Sequence, residues 1–242
     1  MSRTVAILQA RLGSSRLPGK VLLPLPGGHA LAHVVRRARA IPGVDEICIA
    51  TSDLPGDVPI VSAARELGAT VIVGPEADVL ARFVIAANAM SADAILRITC
   101  DCPLLDPGLC GDLLRMFHET GCDYGSIDAA AGWPHGLDCE VFSRDALDMA
   151  NRNAKESYDR EHVTSWIYTE SGLSCFAMIG PRDGGAGHRW VLDYPEDYAF
   201  LQQFMELAGT ELANAGWRET SALVEKYGNL KQINAKWRQE YA

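Results

Sequence analysis

Three segments of this chain place chemically active side chains at the ends of apolar runs. The first run, residues 4–9 (TVAILQ), leads into ARLGSSRLPGK, residues 10–20, which holds three cations, two glycines, two serines and no acid. Such a loop offers backbone N–H groups, hydroxyls and positive charge to phosphate oxygens. Ala10, Gly13, Ser14 and Ser15 are therefore candidate nucleotide contacts, and Arg11, Arg16 and Lys20 candidate partners for a developing phosphoryl charge. It is not a P-loop: five residues separate Gly13 from Gly19 where that pattern has four, and Val21 follows Lys20 where a magnesium-binding hydroxyl is required. The alternative reading is a solvated turn that happens to be basic.

The second segment is ILRITCDCPLLDP, residues 95–107, and the third is HRWVLDYPEDY, residues 188–198. Each reads as a buried strand that ends in an aspartate, Asp101 or Asp193. A carboxylate there is costly unless it is solvated or paired with a cation. Two such groups meeting at one sheet edge would supply the hard oxygen ligands that Mg²⁺ prefers, leaving its other positions to phosphates and water. Asp193 could equally cap the helix that Pro195 opens, and Asp106, just before Pro107, reads as a cap of that kind. Cys100 and Cys102 have one residue between them, which is neither a zinc knuckle nor a redox spacing, so they are assigned no metal.

The elements that must position these groups follow from periodicity. Residues 4–9, 46–50, 70–73 and 94–99 read as buried strands, and residues 30–40, 58–67 and 79–90 carry helical spacing. This alternation predicts an α/β fold with a largely parallel sheet and helices on both faces. Ligands on such sheets bind beyond the carboxyl ends of the strands, which makes the segments after Gln9, Ala50 and Thr99 site loops. Further on, residues 107–120, 145–151, 160–169, 195–208 and 221–241 read as helices. Residues 138–143, 174–179 and 188–192 read as strands, and the glycine-rich residues 180–187 as a mobile flap. With no repeat or clean linker, residues 1–242 are expected to form one domain, with a subregion at about 123–180.

Charge narrows the classes further. The chain carries 22 basic and 31 acidic residues, a formal net charge of −9. Residues 1–44 hold seven cations and no acid, so a polyanion should meet that segment; Arg36, Arg37 and Arg39, on the helix after the loop, read as solvated surface. An acidic whole with no other basic stripe argues against a duplex nucleic-acid binder. No apolar run approaches a membrane span. Seven scattered cysteines suit a reducing, cytosolic compartment.

ARLGSSRLPGK, TCDCPLLDP and VLDYPED, in this order, resemble the cytidylyltransferases that activate sugar acids as CMP conjugates, especially the spore coat polysaccharide biosynthesis branch. That family's first motif reads roughly R-x-x-S-x-R-L-P-x-K, and Arg11, Ser14, Arg16, Leu17, Pro18 and Lys20 fit it. IATSD (49–53), DVLARF (78–83), GLDCEVF (136–142) and REHVT (160–164) look similar as well. The resemblance implies a three-layer, nucleotide-diphospho-sugar transferase-like fold with a mixed, mostly parallel seven-stranded sheet. It implies CTP as co-substrate, with Arg11 and Lys20 on the triphosphate, Arg16 supporting the loop and Arg82 near the ribose and base. It implies Mg²⁺ on Asp101 and Asp193, and Asp138, Glu140 and His162 around the acceptor. The chain departs from the family at Cys100, where a glycine is usual, and at Cys102, where an acid is usual.

The activity expected is transfer of CMP from CTP to a sugar acid or similar small acceptor, with release of pyrophosphate, for surface glycan synthesis. A nucleotide-sugar glycosyltransferase is the rival within the fold, and a non-catalytic nucleotide-binding subunit the rival outside enzymology. His135 and His188 are the histidines in place for base chemistry, although a lone loop histidine is more often a bystander. The amphipathic tail, with Leu223, Val224, Tyr227, Leu230, Ile233 and Trp237, packs either on its own sheet or across a homodimer.

Overall fold

The computed structural model describes residues 2–181 and 187–241. Its strands are β1 (Thr4–Gln9), β2 (Pro24–Leu25), β3 (Gly28–His29), β4 (Glu46–Ser52), β5 (Thr70–Gly74), β6 (Ala94–Thr99), β7 (Tyr124–Ile127), β8 (Cys139–Ser143) and β9 (Cys175–Ala177). The helices are α1 (Ala30–Arg39), α2 (Val58–Glu66), α3 (Val79–Met90), α4 (Pro107–Thr120), α5 (Arg144–Asn153), α6 (Ser157–His162), α7 (Ser165–Thr169), α8 (Pro195–Ala208), α9 (Trp217–Lys226) and α10 (Leu230–Ile233). Seven strands form one sheet in the order β5-β4-β1-β6-β8-β7-β9, and β2 and β3 pair separately.

The apolar run of β1 lies inside the sheet, parallel to β4 on one side and β6 on the other, with Gln9 opposite both Ala50 and Thr99. The loops that leave these strands therefore emerge together. β8 runs antiparallel to both β6 and β7. The sheet is thus mixed and mostly parallel, as expected. Along β1 the side chains alternate between two cores. Ala6 and Leu8 pack with α1, α4, α8 and α9, whereas Val5 and Ile7 pack with α3, α5 and α7. The tail folds onto its own chain, with Leu223, Val224 and Leu230 buried in the first core and Tyr227 and Ile233 packed against it.

Four sequence expectations need correction. Residues 188–192 are not a strand. They make one isolated bridge, His135 to Arg189, and bond through the Trp190 and Leu192 amides to the carbonyls of His135 and Asp101. Their apolar pattern reflects complete burial of Trp190 and Leu192 between loops, not a place in the ladder. Residues 160–169 break at Val163, whose φ of 65° ends α6. The tail helix begins earlier, at Trp217, and breaks where Gly228 adopts a φ of 59°. Arg37 is not solvated: it is buried and donates to the carbonyls of Leu105, Leu212 and Ala215. Three backbone acceptors compensate its desolvation.

Asp106 caps α4 as expected, accepting from the amides of Gly108 and Leu109, and it also accepts from the amide of Trp217 at 2.7 Å. β7 had no expectation attached; its YGSI sequence is too short and mixed to stand out by pattern. Of the flap expected at 180–187, residues 182–186 lie outside the described residues.

Candidate active site

The basic loop is folded by its own backbone. The amides of Ser14 and Gly19 both donate to the Leu12 carbonyl, and Gly19 takes a φ of 72°, a conformation that suits a residue without Cβ. The Leu12 amide donates to Asp57 Oδ1 at 2.7 Å, and Ser52 at the end of β4 donates to the other oxygen of Asp57. This buried carboxylate ties the loop after β1 to the loop after β4. Among the described residues, no protein group pairs with the amides of Gly13 and Ser15. They remain available to a ligand oxygen beside Arg16 and Lys20.

Lys20 carries the centre of the site. Its ammonium donates to Asp101 Oδ2 at 2.7 Å and to Asp193 Oδ1 at 2.9 Å, while Arg16 pairs with Asp193 Oδ2 at 2.7 Å. Burial acts against charge on the Asp101 carboxylate, but the adjacent Lys20 ammonium outweighs it and draws the pKa down to about 2. Burial likewise opposes the Lys20 charge, and Asp101 and Asp193 reverse the balance, so its pKa is raised.

Asp193 does not cap α8. That task falls to Asp197, whose Oδ2 accepts from the amides of Tyr194 and Asp193. Asp197 in turn holds the buried Arg189 guanidinium by two bonds of 2.8 Å. With the cap supplied from within the helix, the Asp193 side chain turns toward the loop. The Leu192 amide donates to the Asp101 carbonyl at 2.8 Å, joining the two carboxylate-bearing segments through the backbone.

These groups line a cavity of about 440 Å³, which also receives Gln9, Arg11, Gly13, Ser14, Ser15, Thr99, Cys102, His135, Asp138 and His162. Cations and carboxylates meet in one cavity, an arrangement suited to an anion that brings or shares positive charge. A model of the family described as cytidylyltransferase matches residues 5–234. The chain belongs to the cytidylyltransferase family. The spore coat polysaccharide biosynthesis protein SpsF of Bacillus subtilis is 34% identical over 86% of this chain and 89% of its own. A 3-deoxy-manno-octulosonate cytidylyltransferase of Anaeromyxobacter sp. (strain Fw109-5) is 31% identical over 75% of this chain and 79% of its own. The solved structure of a cytidylyltransferase from Leptospira borgpetersenii superposes with a TM-score of 0.89 at 23% identity, covering 96% of this chain and 98% of that one. That structure supports the fold; the family assignment rests on the sequence matches.

Not every residue singled out from the sequence reaches the cavity of this cytidylyltransferase. Ala10 is buried, its amide bonded to the Ala50 carbonyl. Arg82 has no exposed surface and donates to the Pro75 carbonyl; the helical spacing of DVLARF points it into the fold. Arg11 stands at the rim, 3.7 Å from Glu76 and 3.4 Å from Glu161. Asp57, Arg189, Asp197 and Tyr194 also shape the site, and no catalytic motif in the sequence singles them out. Asp197, an acid two residues after a helix-opening proline, carried a capping signal; Asp57 carried none.

A second cavity of about 700 Å³ adjoins the first and shares Thr99, Asp138 and His162 with it. Its wall includes Arg97, Tyr124, Ser126, Asp128, Glu140, Tyr168 and Phe176. Both oxygens of Glu140 are engaged within the chain: Tyr124 and Thr164 donate to Oε1, and Arg97 pairs with Oε2. His162 is set by the turn at Val163, where the Thr164 amide donates to the His162 carbonyl at 2.6 Å. This is a γ-turn of the strained hand, with φ 65° and ψ −57°. Strain of about 1–3 kcal/mol at such a residue is held by the surrounding contacts. Here Val163 is fully buried and Thr164 is anchored on Glu140. The two other loop histidines are both shifted away from the charged form. Burial lowers the pKa of His135, and the nearby Arg189 adds to it; burial takes His188 down to about 4.

Proposed function

We propose that this enzyme transfers CMP from CTP to a hydroxyl of a small acceptor of the sugar-acid class, releasing pyrophosphate, as a cytosolic step in surface polysaccharide synthesis. The observation that carries the reading is the meeting of Lys20, Asp101 and Asp193, which brings a phosphate-suited basic loop against one carboxylate just beyond β6 and another on the segment bonded beside it. The family membership supports the choice of CTP, and the likeness to SpsF supports the pathway class. Five of the seven cysteines are buried free thiols, in keeping with a reducing compartment.

The chain's residues divide the work. Gly13 and Ser15 amides, Arg16 and Lys20 receive the triphosphate, and Arg11 approaches from the rim to neutralise the departing pyrophosphate. Two carboxylates alone make an incomplete cation site, and no group of three or more His, Cys, Asp or Glu among the described residues completes it. Such a pair fits Mg²⁺, which takes one or two carboxylates and fills its shell with substrate phosphates and water. When bound, Mg²⁺ would supply charge neutralisation at the α-phosphate. Lys20, which lines the same cavity, would then be able to offer its ammonium to phosphate oxygens.

The test is pyrophosphate release from each of the four ribonucleoside triphosphates, crossed with sugar acids, phosphonates and polyols, with and without Mg²⁺. Release from CTP alone, dependent on Mg²⁺ and on an acceptor, is the expected result, and Asp101→Asn should abolish it. Full activity in Asp101→Asn overturns the assignment of that carboxylate. Absence of release with every pair overturns the transferase reading.

A further inference from the structure

The two adjoining cavities set a geometric requirement. If the first takes the triphosphate and the second the acceptor, the attacking hydroxyl must cross the wall they share, formed by Thr99, Asp138 and His162. This inference rests on the transferase reading above. Of the three shared residues, Thr99 offers a hydroxyl already within 3.5 Å of the Cys102 sulfur. His162 offers a ring packed against Tyr158 at the end of a six-residue helix. Asp138 differs from both, and from every other carboxylate on the two walls.

Asp101 and Asp193 are held by Lys20, Asp193 also by Arg16, and Glu140 by Arg97, Tyr124 and Thr164. Asp128 accepts from the Ser126 hydroxyl and the Ala131 amide. Asp138 meets no cation or hydroxyl at hydrogen-bond distance among the described residues. Its donors are backbone amides alone: the Gly136 amide donates to Oδ2 at 2.7 Å, and the amide of Asp138 itself also acts on the carboxyl, so no side chain holds it. The turn beneath it is rigid. Gly136 is pressed against the backbone of Trp190 and Val191, Leu137 is fully buried, and the Leu137 amide is bonded to the Pro134 carbonyl.

We propose that Asp138 is the general base that takes the proton from the acceptor hydroxyl. As the acceptor oxygen bonds to the α-phosphorus, its proton passes to the Asp138 carboxylate. The bond from the α-phosphorus to the bridging oxygen breaks, and pyrophosphate leaves with the electron pair. Product release opens the carboxyl to water, which receives the proton. The environment suits the task, since burial raises the Asp138 pKa to about 7, close to the pH at which a base works best. The charges that act on it are Asp101 from the loop after β6 and Asp128 from the turn after β7, with Cys102 beside it; His135, His162, Lys20, Arg16, Arg11, Asp193, Arg97, Glu140, Tyr124 and Tyr168 line the same two cavities.

The test uses the full chain, CTP, Mg²⁺ and whichever member of the acceptor panel turns over fastest. Asp138→Asn should lower kcat by at least about 100-fold, the scale of general-base catalysis. Its calorimetric affinity for CTP and its acceptor KM should stay within about threefold. Wild-type kcat should rise with pH along an acidic limb near 7, and the residual rate of Asp138→Asn should lack that limb. Asp138→Glu should recover part of the rate, and formate should rescue Asp138→Ala. A kcat within threefold of wild type, an unchanged acidic limb, or a loss confined to acceptor KM overturns the base assignment alone. No turnover by the wild-type chain with any acceptor overturns the transferase reading, and this inference with it.

Discussion

Lys20 and Asp101 lie 81 residues apart in the chain and meet at 2.7 Å, Nζ to Oδ2, with both side chains largely withdrawn from water. The same nitrogen reaches Asp193, so a single ammonium bridges two carboxylates that would otherwise repel, and Arg16 supplies the second positive charge. The contact thus has two duties: it holds the loop after β1 against the loop after β6, and it keeps the Asp101 carboxylate ionised. Both duties can be separated by mutation.

Lys20→Met removes the cation and keeps the length of the side chain. Asp101 and Asp193 then share a site with only Arg16 to compensate them. The variant should lose about 1–3 kcal/mol in urea unfolding at pH 7, the range for stranding a mostly buried charge. Pyrophosphate release should fall at least about 100-fold, as for removal of one charge-stabilising donor. A variant that unfolds like wild type would show that Arg16 alone suffices.

Asp101→Asn isolates the pH dependence. The folded carboxyl titrates at about 2, below the ordinary value of 3.8. A depressed pKa contributes stability that is present above the unfolded value and lost as pH falls through the folded one. The wild-type urea midpoint should therefore drop between about pH 4 and pH 2, and the Asn variant should show a shallower slope across that window. Parallel slopes would mean that Asp101 is not the group responsible.

Asp197 tests how the second carboxylate is aimed. Its side chain is fully buried and makes a two-point pair with Arg189 while accepting from the Asp193 and Tyr194 amides. Asp197→Ala takes the carboxylate away from a buried guanidinium and should cost about 3–5 kcal/mol by chemical denaturation. The double variant Arg189→Met with Asp197→Leu removes both charges and should recover most of that stability. It should not recover activity, because Asp193 has lost the amide bond that sets its direction. Equal recovery of stability and turnover would place Asp197 outside the site's geometry.

How far the sequence foretold this arrangement depends on the range of the forces involved. Thr4–Gln9, Ala94–Thr99, Val79–Met90, Pro107–Thr120 and Pro195–Ala208 were legible to the residue because burial periodicity and caps are local signals. Lys20, Asp101 and Asp193 were legible as chemistry, although only Asp101 follows a strand and Asp193 is brought in by a loop bonded to it. Residues 188–192 misled, because a run buried between loops is as apolar as one inside a sheet. Arg37 and Arg82 misled for the opposite reason: the carbonyls that Arg37 meets come from distant turns, and the one that Arg82 meets, Pro75, lies seven residues before it, which no pattern of apolar residues records. Asp57 holds the basic loop through an amide 45 residues away, and its identity alone announced nothing.

Gly136 sits where the turn below Asp138 meets the segment that leads to Asp193. A Cβ built on it would lie 2.6 Å from the Trp190 carbonyl carbon and the Val191 nitrogen, and its φ is +112°. Gly172 provides the control, since its φ of +69° is also positive but its Cβ would meet nothing within 4 Å. Gly172→Ala should cost only the conformational penalty, about 1–2 kcal/mol. Gly136→Ala adds a backbone clash that no side-chain rotation relieves, and overpacking of that kind contributes about 1–3 kcal/mol more. It should also weaken the near-ultraviolet dichroism from Trp190 and lower pyrophosphate release, while Gly172→Ala leaves both unchanged. Equal destabilisation of the two variants, with turnover intact in each, would show that the 134–138 turn yields to its neighbour and does not brace the carboxylate above it.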